Sequence, residues 1–121
     1  MRILLVDDDA LLREMYATKF KENGHSVEAT GNGENALGLL KDDAFDVVLF
    51  DMVMPALTGD EFLASVNKLG LKKAPKCIVL SNQGEETDIE RATSAGACGY
   101  IVKAQMIPSE VVKKVEELVS K

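Results

Sequence analysis

Six positions in this chain carry side chains that do chemistry together: Asp7, Asp8 and Asp9 in one run, then Asp51, Ser81 and Lys103. Carboxylates held close together repel, and the group stays ionised only if a cation neutralises it. A hard divalent ion meets that need. Mg2+ takes oxygen ligands in octahedral array, commonly one or two carboxylates, with water or phosphate oxygens in the remaining positions. Three aspartates with no histidine or thiolate beside them suit it better than zinc or copper. Lys103 adds a mobile positive charge that can pair with an aspartate or with a phosphoryl oxygen. Taken singly, each residue has an ordinary role: Asp9 can cap a helix, Asp51 can end a strand, Ser81 can sit in a turn and Lys103 can be a surface lysine. Their joint occurrence where apolar runs stop is what suggests a site.

The elements that must position them alternate along the chain. The segment Arg2 to Val6, with the unbroken apolar run Ile3 to Val6, reads as a strand buried on both faces, and Leu12, Met15, Tyr16 and Phe20 then recur at helical spacing between Asp9 as N-cap and Gly24 as stop. A shorter strand spans His25 to Ala29. From Asn32 a helix turns Ala36, Leu37 and Leu40 inward, and a third strand runs from Phe45 to Phe50. After a loop through Pro55 and Gly59, Thr58 and Glu61 have capping-box spacing ahead of Phe62, Leu63 and Val66. Cys77 to Leu80 forms the fourth strand, and a second Thr-x-x-Glu, Thr87 to Glu90, marks the start of a helix that ends near Gly96. Tyr100 to Val102 is the fifth strand. Pro108 opens the last helix, with Val111, Val112, Val115, Leu118 and Val119 on one side.

Five strands alternating with five helices predict a doubly wound α/β domain with a five-stranded parallel sheet; likeness to the flavodoxin-like type, and not the alternation itself, supplies the order 2-1-3-4-5. In such a sheet the carboxyl ends of all strands share one edge, where ligands bind. Asp7, Asp8 and Asp9 follow the first strand, Asp51 the third, Ser81 the fourth and Lys103 the fifth, so all converge there. The helix between Glu85 and Ala97 has Ile89 as its only large apolar residue, helped by Ala92 and Ala95, and should be the most weakly anchored of the five.

Composition agrees with one such domain spanning residues 1–121. The chain has 121 residues, 46% hydrophobic and 28% charged, near the averages for globular proteins. No apolar stretch approaches the ~20 residues of a membrane span, and the N-terminus is not built like a signal peptide, so the expected location is cytoplasmic. The net charge of −6 argues against a nucleic-acid surface. Cys77 and Cys98 form no CxxC pair and His25 is the sole histidine, so the cysteines are expected as free buried thiols and zinc is not expected.

Four segments, in order, resemble the receiver domain of bacterial response regulators: Ile3-Leu-Leu-Val-Asp-Asp-Asp9, Leu49-Phe-Asp-Met-Val-Met-Pro55 with Gly59, Ile78-Val-Leu-Ser81, and Ala95-Gly-Ala-Cys-Gly-Tyr-Ile-Val-Lys103. The resemblance runs from Arg2 to about Val119. It implies that Asp51 accepts a phosphoryl group from the phosphohistidine of a histidine kinase or histidine phosphotransfer protein. It also implies that Asp8 binds Mg2+ directly, that Asp7 acts through water, and that the Val53 carbonyl is a further ligand. By the same likeness Lys103 contacts the phosphoryl group, Ser81 shifts to hydrogen-bond it, and Tyr100 changes rotamer as an output face rearranges toward a downstream effector protein. Physical chemistry supports these roles, because a carboxylate is a competent nucleophile when a metal and a lysine neutralise the equatorial oxygens. Asn82 and Gln83 sit where members vary and are expected to tune the lifetime of the phosphoryl group. Ala104 follows Lys103 where proline is common in the family, and a cis peptide before a non-proline residue costs about 2.5–4 kcal/mol.

Two other readings compete. A phosphorylation-independent interaction module would keep the fold without the chemistry, and predicts no Mg2+ binding. An enzyme of similar architecture fits poorly: an Asp-x-Asp phosphatase wants an acid where this chain has Val53, and a flavodoxin's phosphate loop would meet three repelling aspartates after the first strand. The protein is therefore expected to be a switch rather than an enzyme, either free-standing or cut from a longer regulator.

Overall fold

In the computed structural model, which describes residues 1–82 and 84–120, five parallel strands lie in the order β2-β1-β3-β4-β5. They are β1 (Arg2–Val6), β2 (Ser26–Thr30), β3 (Val47–Phe50), β4 (Lys76–Ser81) and β5 (Gly99–Val102). Helices α1 (Ala10–Glu22), α2 (Gly33–Asp42), α3 (Gly59–Lys68), α4 (Glu86–Ser94) and α5 (Pro108–Val119) alternate with them, and a short 3-10 turn, Lys103–Gln105, follows β5. The doubly wound sheet and its order are those expected from the sequence. No helix among the described residues is long and apolar enough to cross a membrane.

The apolar strands fill both faces because alternate residues point to opposite sides. Ile3, Leu5, Val47, Leu49, Ile78, Leu80 and Ile101 pack against α1 and α5 through Tyr16, Phe20, Val111, Val112 and Val115. Leu4, Val6, Val48, Phe50 and Val79 face the other way, onto Ala36 and Leu40 of α2 and Phe62, Leu63 and Val66 of α3. Register then fixes the edge: Val6 is opposite Phe50, Phe50 opposite Val79, and Ser81 opposite Val102. The residue after each strand is thereby delivered to a common line.

Several boundaries differ from the sequence expectation. The second strand is Ser26–Thr30 rather than His25–Ala29, since the His25 backbone N–H still donates to the Phe20 carbonyl of α1 and the pairing with β1 begins at Ser26. The third begins at Val47: Phe45 is buried, but it precedes the ladder, where the Arg2 backbone N–H donates to the Asp46 carboxylate. The capping box at Thr87 and Glu90 is absent. Helix α4 starts earlier, at Glu86, where the Asp88 and Ile89 N–H groups donate to the Glu85 carbonyl, so Thr87 lies inside the first turn. Met15 is exposed rather than inward, because Tyr16, Ala17 and Phe20 take the buried stripe of α1. Cys98 is exposed, lying just before the edge strand β5, whereas Cys77 is buried as expected; both are free.

Other local signals hold. Asp9 caps α1 by accepting from the Leu11 and Leu12 N–H groups, each at 3.1 Å. Thr58 and Glu61 form the reciprocal box opening α3, with Thr58 N–H to Glu61 Oε1 at 3.1 Å and Glu61 N–H to Thr58 Oγ1 at 3.3 Å. Helix α4 buries only Ala92 fully, and Ile89 is 37% exposed. Side chains tie it to α3 through the ion pair between Arg91 and Asp60 and through Asn67, whose Nδ2 donates to the carbonyl of its C-cap Ala95 at 3.3 Å. Weak anchoring of this helix is thus visible in its packing.

Candidate functional site

The carboxyl edge of the sheet brings the separated acids together. One carboxylate oxygen from each of Asp7, Asp8 and Asp51 lies within 4.8 Å of the others. Asp7 and Asp51 are buried while Asp8 is exposed. The reason is register: Asp7 continues β1 one step past Val6, and Asp51 continues its neighbour β3 one step past Phe50.

Lys103 reaches between the two buried acids. Its ammonium donates to Asp7 Oδ2 at 2.7 Å and to Asp51 Oδ2 at 3.1 Å, with the lysine side chain only 5% exposed. The 3-10 turn after β5 carries the residue there over a trans Lys103–Ala104 peptide, so no proline is needed for this reach. Burial alone works to lower the pKa of this ammonium, but the hydrogen bonds and charges of Asp7 and Asp51 together outweigh it and raise the pKa above the ordinary lysine value.

The two buried acids are fully engaged on their other oxygens. Asp7 Oδ1 accepts from the Asp9 N–H at 3.0 Å, and Asp51 Oδ1 accepts from the Val53 N–H at 3.1 Å. Asp7 is held at its backbone too, its N–H donating to the Thr30 carbonyl at 3.1 Å. Asp8 has no hydrogen bond or ion pair among the described residues, so its carboxylate faces the cleft unclaimed. That cleft, of about 260 Å³, is lined by Asp8, Asp51, Val53, Ser81 and Asn82. Gln83 lies outside the described residues.

Three carboxylates against one ammonium leave two negative charges in a corner that is buried at Asp7, Asp51 and Lys103 and open at Asp8. An all-oxygen donor set with that charge fits a hard divalent cation such as Mg2+, with Asp8 the freest ligand. Asp9 does not join the set, since its side chain is spent on the helix cap.

Ser81 is buried at the end of β4, and Tyr100 is half-buried on β5 beside it. Burial raises the Tyr100 phenol, opposed by a side-chain hydrogen bond with Ser81. The two residues expected to relay a change are therefore in direct contact. Sequence reasoning missed Arg13, whose Nη1 donates to the Asp7 carbonyl oxygen at 2.7 Å. A signal was available: a cation in the first turn of a helix opposes the helix dipole, so it calls for a compensating partner.

An open parallel sheet with an acid cluster and a buried lysine at its carboxyl edge defines an α/β domain of the doubly wound class, with its polar corner where such folds place their ligands. Comparison with known proteins gives the family. The response regulator receiver domain model matches residues 3–116, and the chain belongs to that family, a family of two-component signalling proteins. Among curated relatives it is 32% identical to the transcriptional regulatory protein ResD of Bacillus subtilis over 97% of this chain and 47% of ResD. It is 30% identical to a gliding motility regulatory protein of Myxococcus xanthus over 98% of this chain and 15% of that protein. The chain thus spans about half the length of ResD and far less of the Myxococcus protein. Among solved structures, the chemotaxis response regulator CheY4 of Vibrio cholerae superposes with a TM-score of 0.89 at 27% identity, covering 97% of each chain. The response regulator TrrA of Thermotoga maritima, in complex with Mg2+-BeF, gives 0.82 at 31% identity, also covering 97% of each chain.

Proposed function

We propose that this receiver domain is a phosphorylation-controlled switch in which Asp51 accepts a phosphoryl group from the phosphohistidine of a histidine kinase or histidine phosphotransfer protein. The observation that carries the reading is the position of the Asp51 carboxylate. It lines the cleft beside Ser81, with the Lys103 ammonium at 3.1 Å and the Asp7 and Asp8 carboxylates within 4.8 Å. The Mg2+-BeF complex of TrrA supports the same use of the corner.

In the transfer an Asp51 oxygen forms the new P–O bond. The donor's P–N bond breaks with its electron pair left on the imidazole nitrogen, which takes a proton from solvent. Asp8, Asp51 and the Val53 carbonyl would hold Mg2+, with Asp7 acting through water. When bound, the ion neutralises charge on the phosphoryl oxygens and the acids. Lys103 contributes the second positive charge. Its ammonium already sits against Asp51, so a phosphoryl oxygen arriving there exchanges one anionic partner for another at little reorganisation.

Ser81 then donates its hydroxyl to a phosphoryl oxygen and loosens its bond with Tyr100, which is free to change rotamer. Helix α4, whose one buried residue is Ala92, offers little resistance and shifts in response. The rearranged face presents the signal to a downstream effector protein. The chain acts as a signalling switch, its own chemistry confined to self-phosphorylation and autodephosphorylation.

Incubation with Mg2+ and acetyl phosphate tests the reading by mass spectrometry. One phosphoryl group is expected on the parent and none on Asp51→Asn. Equal uptake by the variant overturns the assignment of Asp51, and a parent that neither takes up phosphate nor binds Mg2+ points instead to a phosphorylation-independent interaction module.

A further inference from the structure

The strongest unassigned feature at the site is a second cation, Arg13, which touches none of the carboxylates. It is the fourth residue of α1, inside the first turn, where a positive charge faces the positive end of the helix dipole. An arginine placed there is unfavourable for the helix alone, so its partners decide its role. Nη1 donates to the Asp7 carbonyl oxygen at 2.7 Å, a short and charge-assisted contact. On its other side the guanidinium lies against the backbone of Gly31 in the β2–α2 loop, so closely that a Cβ there would come within 3.0 Å of Nη1. The side chain is half-buried, wedged between the β1–α1 turn and that loop.

We infer that Arg13 is a positioning residue for the cation site: by gripping the Asp7 carbonyl it fixes the peptide plane between Asp7 and Asp8, and so the direction of the Asp8 carboxylate. Asp7 is held by its N–H on Thr30, by Oδ1 on the Asp9 N–H and by Oδ2 on Lys103. Arg13 takes its last backbone group. Asp8, in contrast, has no hydrogen bond or ion pair among the described residues, and nothing but the backbone before it sets its aim. Partners that orient metal ligands in this indirect way typically change metal affinity 10- to 100-fold when removed. The inference rests on the reading of this corner as a Mg2+ site.

Two roles for Arg13 predict opposite signs. A bare positive charge near the acids repels Mg2+, so deleting it should tighten binding. A clamp that aims Asp8 should, when lost, weaken binding. Arg13→Met keeps the aliphatic stem and removes both charge and donor, while Arg13→Lys keeps a charge and one donor direction. The measurement is the Mg2+ dissociation constant of the full chain by calorimetry, alongside the urea midpoint in chelator. Weakening of about tenfold or more in Arg13→Met, with affinity partly regained in Arg13→Lys, is expected. Unchanged or tighter Mg2+ binding by Arg13→Met overturns the inference while leaving the Mg2+ site intact. No Mg2+ binding by the parent overturns the reading beneath it. Should Arg13→Met fail to fold, Arg13→Gln is read by the same criteria.

Discussion

Replacing Lys103 with methionine removes the one ammonium that lies between two buried carboxylates and leaves an apolar chain of similar length. In the parent, Lys103 bonds Asp7 at 2.7 Å and Asp51 at 3.1 Å, with side chains that are 2% and 9% exposed. Breaking a buried ion pair by deleting one partner costs about 3–5 kcal/mol. The low end applies here, because each aspartate keeps a backbone donor, from Asp9 or Val53. A loss of about 3 kcal/mol is therefore expected in a chelator-containing buffer. The same substitution removes a charge that competes with Mg2+ for the acids. Mg2+ should then bind the variant more tightly, and each tenfold gain narrows the stability gap to the parent by about 1.4 kcal/mol at saturating ion. Urea unfolding of both proteins, with chelator and with excess Mg2+, reads both effects. Neutralising Asp7 as well should give back part of the loss, so that Lys103→Met with Asp7→Asn is less damaging than the two single changes summed. A variant as stable as the parent in chelator, or a gap that Mg2+ leaves unchanged, would refute the claim that Lys103 compensates these acids.

Two other outcomes follow from local geometry. Thr58→Ala should lower stability by about 1 kcal/mol, because Thr58 both accepts from the Glu61 N–H and anchors the reciprocal bond opening α3; the shift in thermal midpoint measures it. In native protein at neutral pH one thiol, Cys98, should react with a disulfide reagent, while Cys77, buried and with its pKa pushed up to about 11 by that burial, reacts only once the chain is unfolded.

The strand from Arg2 to Val6 and the one read as Phe45 to Phe50, observed as Val47–Phe50, could be recognised as central because burial on both faces demands unbroken apolar runs such as Ile3 to Val6, and no helix period fits them. The caps at Asp9 and Thr58 were legible for an equally local reason: the side chain that satisfies the orphan N–H groups is only two or three residues away. The start of α4 was not. Thr87 and Glu90 have capping spacing, but α4 already begins at Glu86, and only the fold around it decides which turn is first. Met15 likewise has helical spacing with Tyr16, yet the sheet accommodates one stripe of α1 and leaves Met15 outside.

Residue types and spacing by themselves determined the class of the protein. Aspartates, a serine and a lysine, each placed at the end of an apolar run, can meet when those runs lie parallel in one sheet with their carboxyl ends on a common edge, and the alternation with helices makes them so. Tertiary structure alone decided how the charges are shared. Register sets Asp7 beside Asp51, the 3-10 turn after β5 swings Lys103 between them, and a helix cap withdraws Asp9, leaving Asp8 the unclaimed acid. Coulomb energies and hydrogen bonds depend on distances of a few ångströms between residues some fifty to a hundred positions apart, and spacing along a chain does not encode such distances.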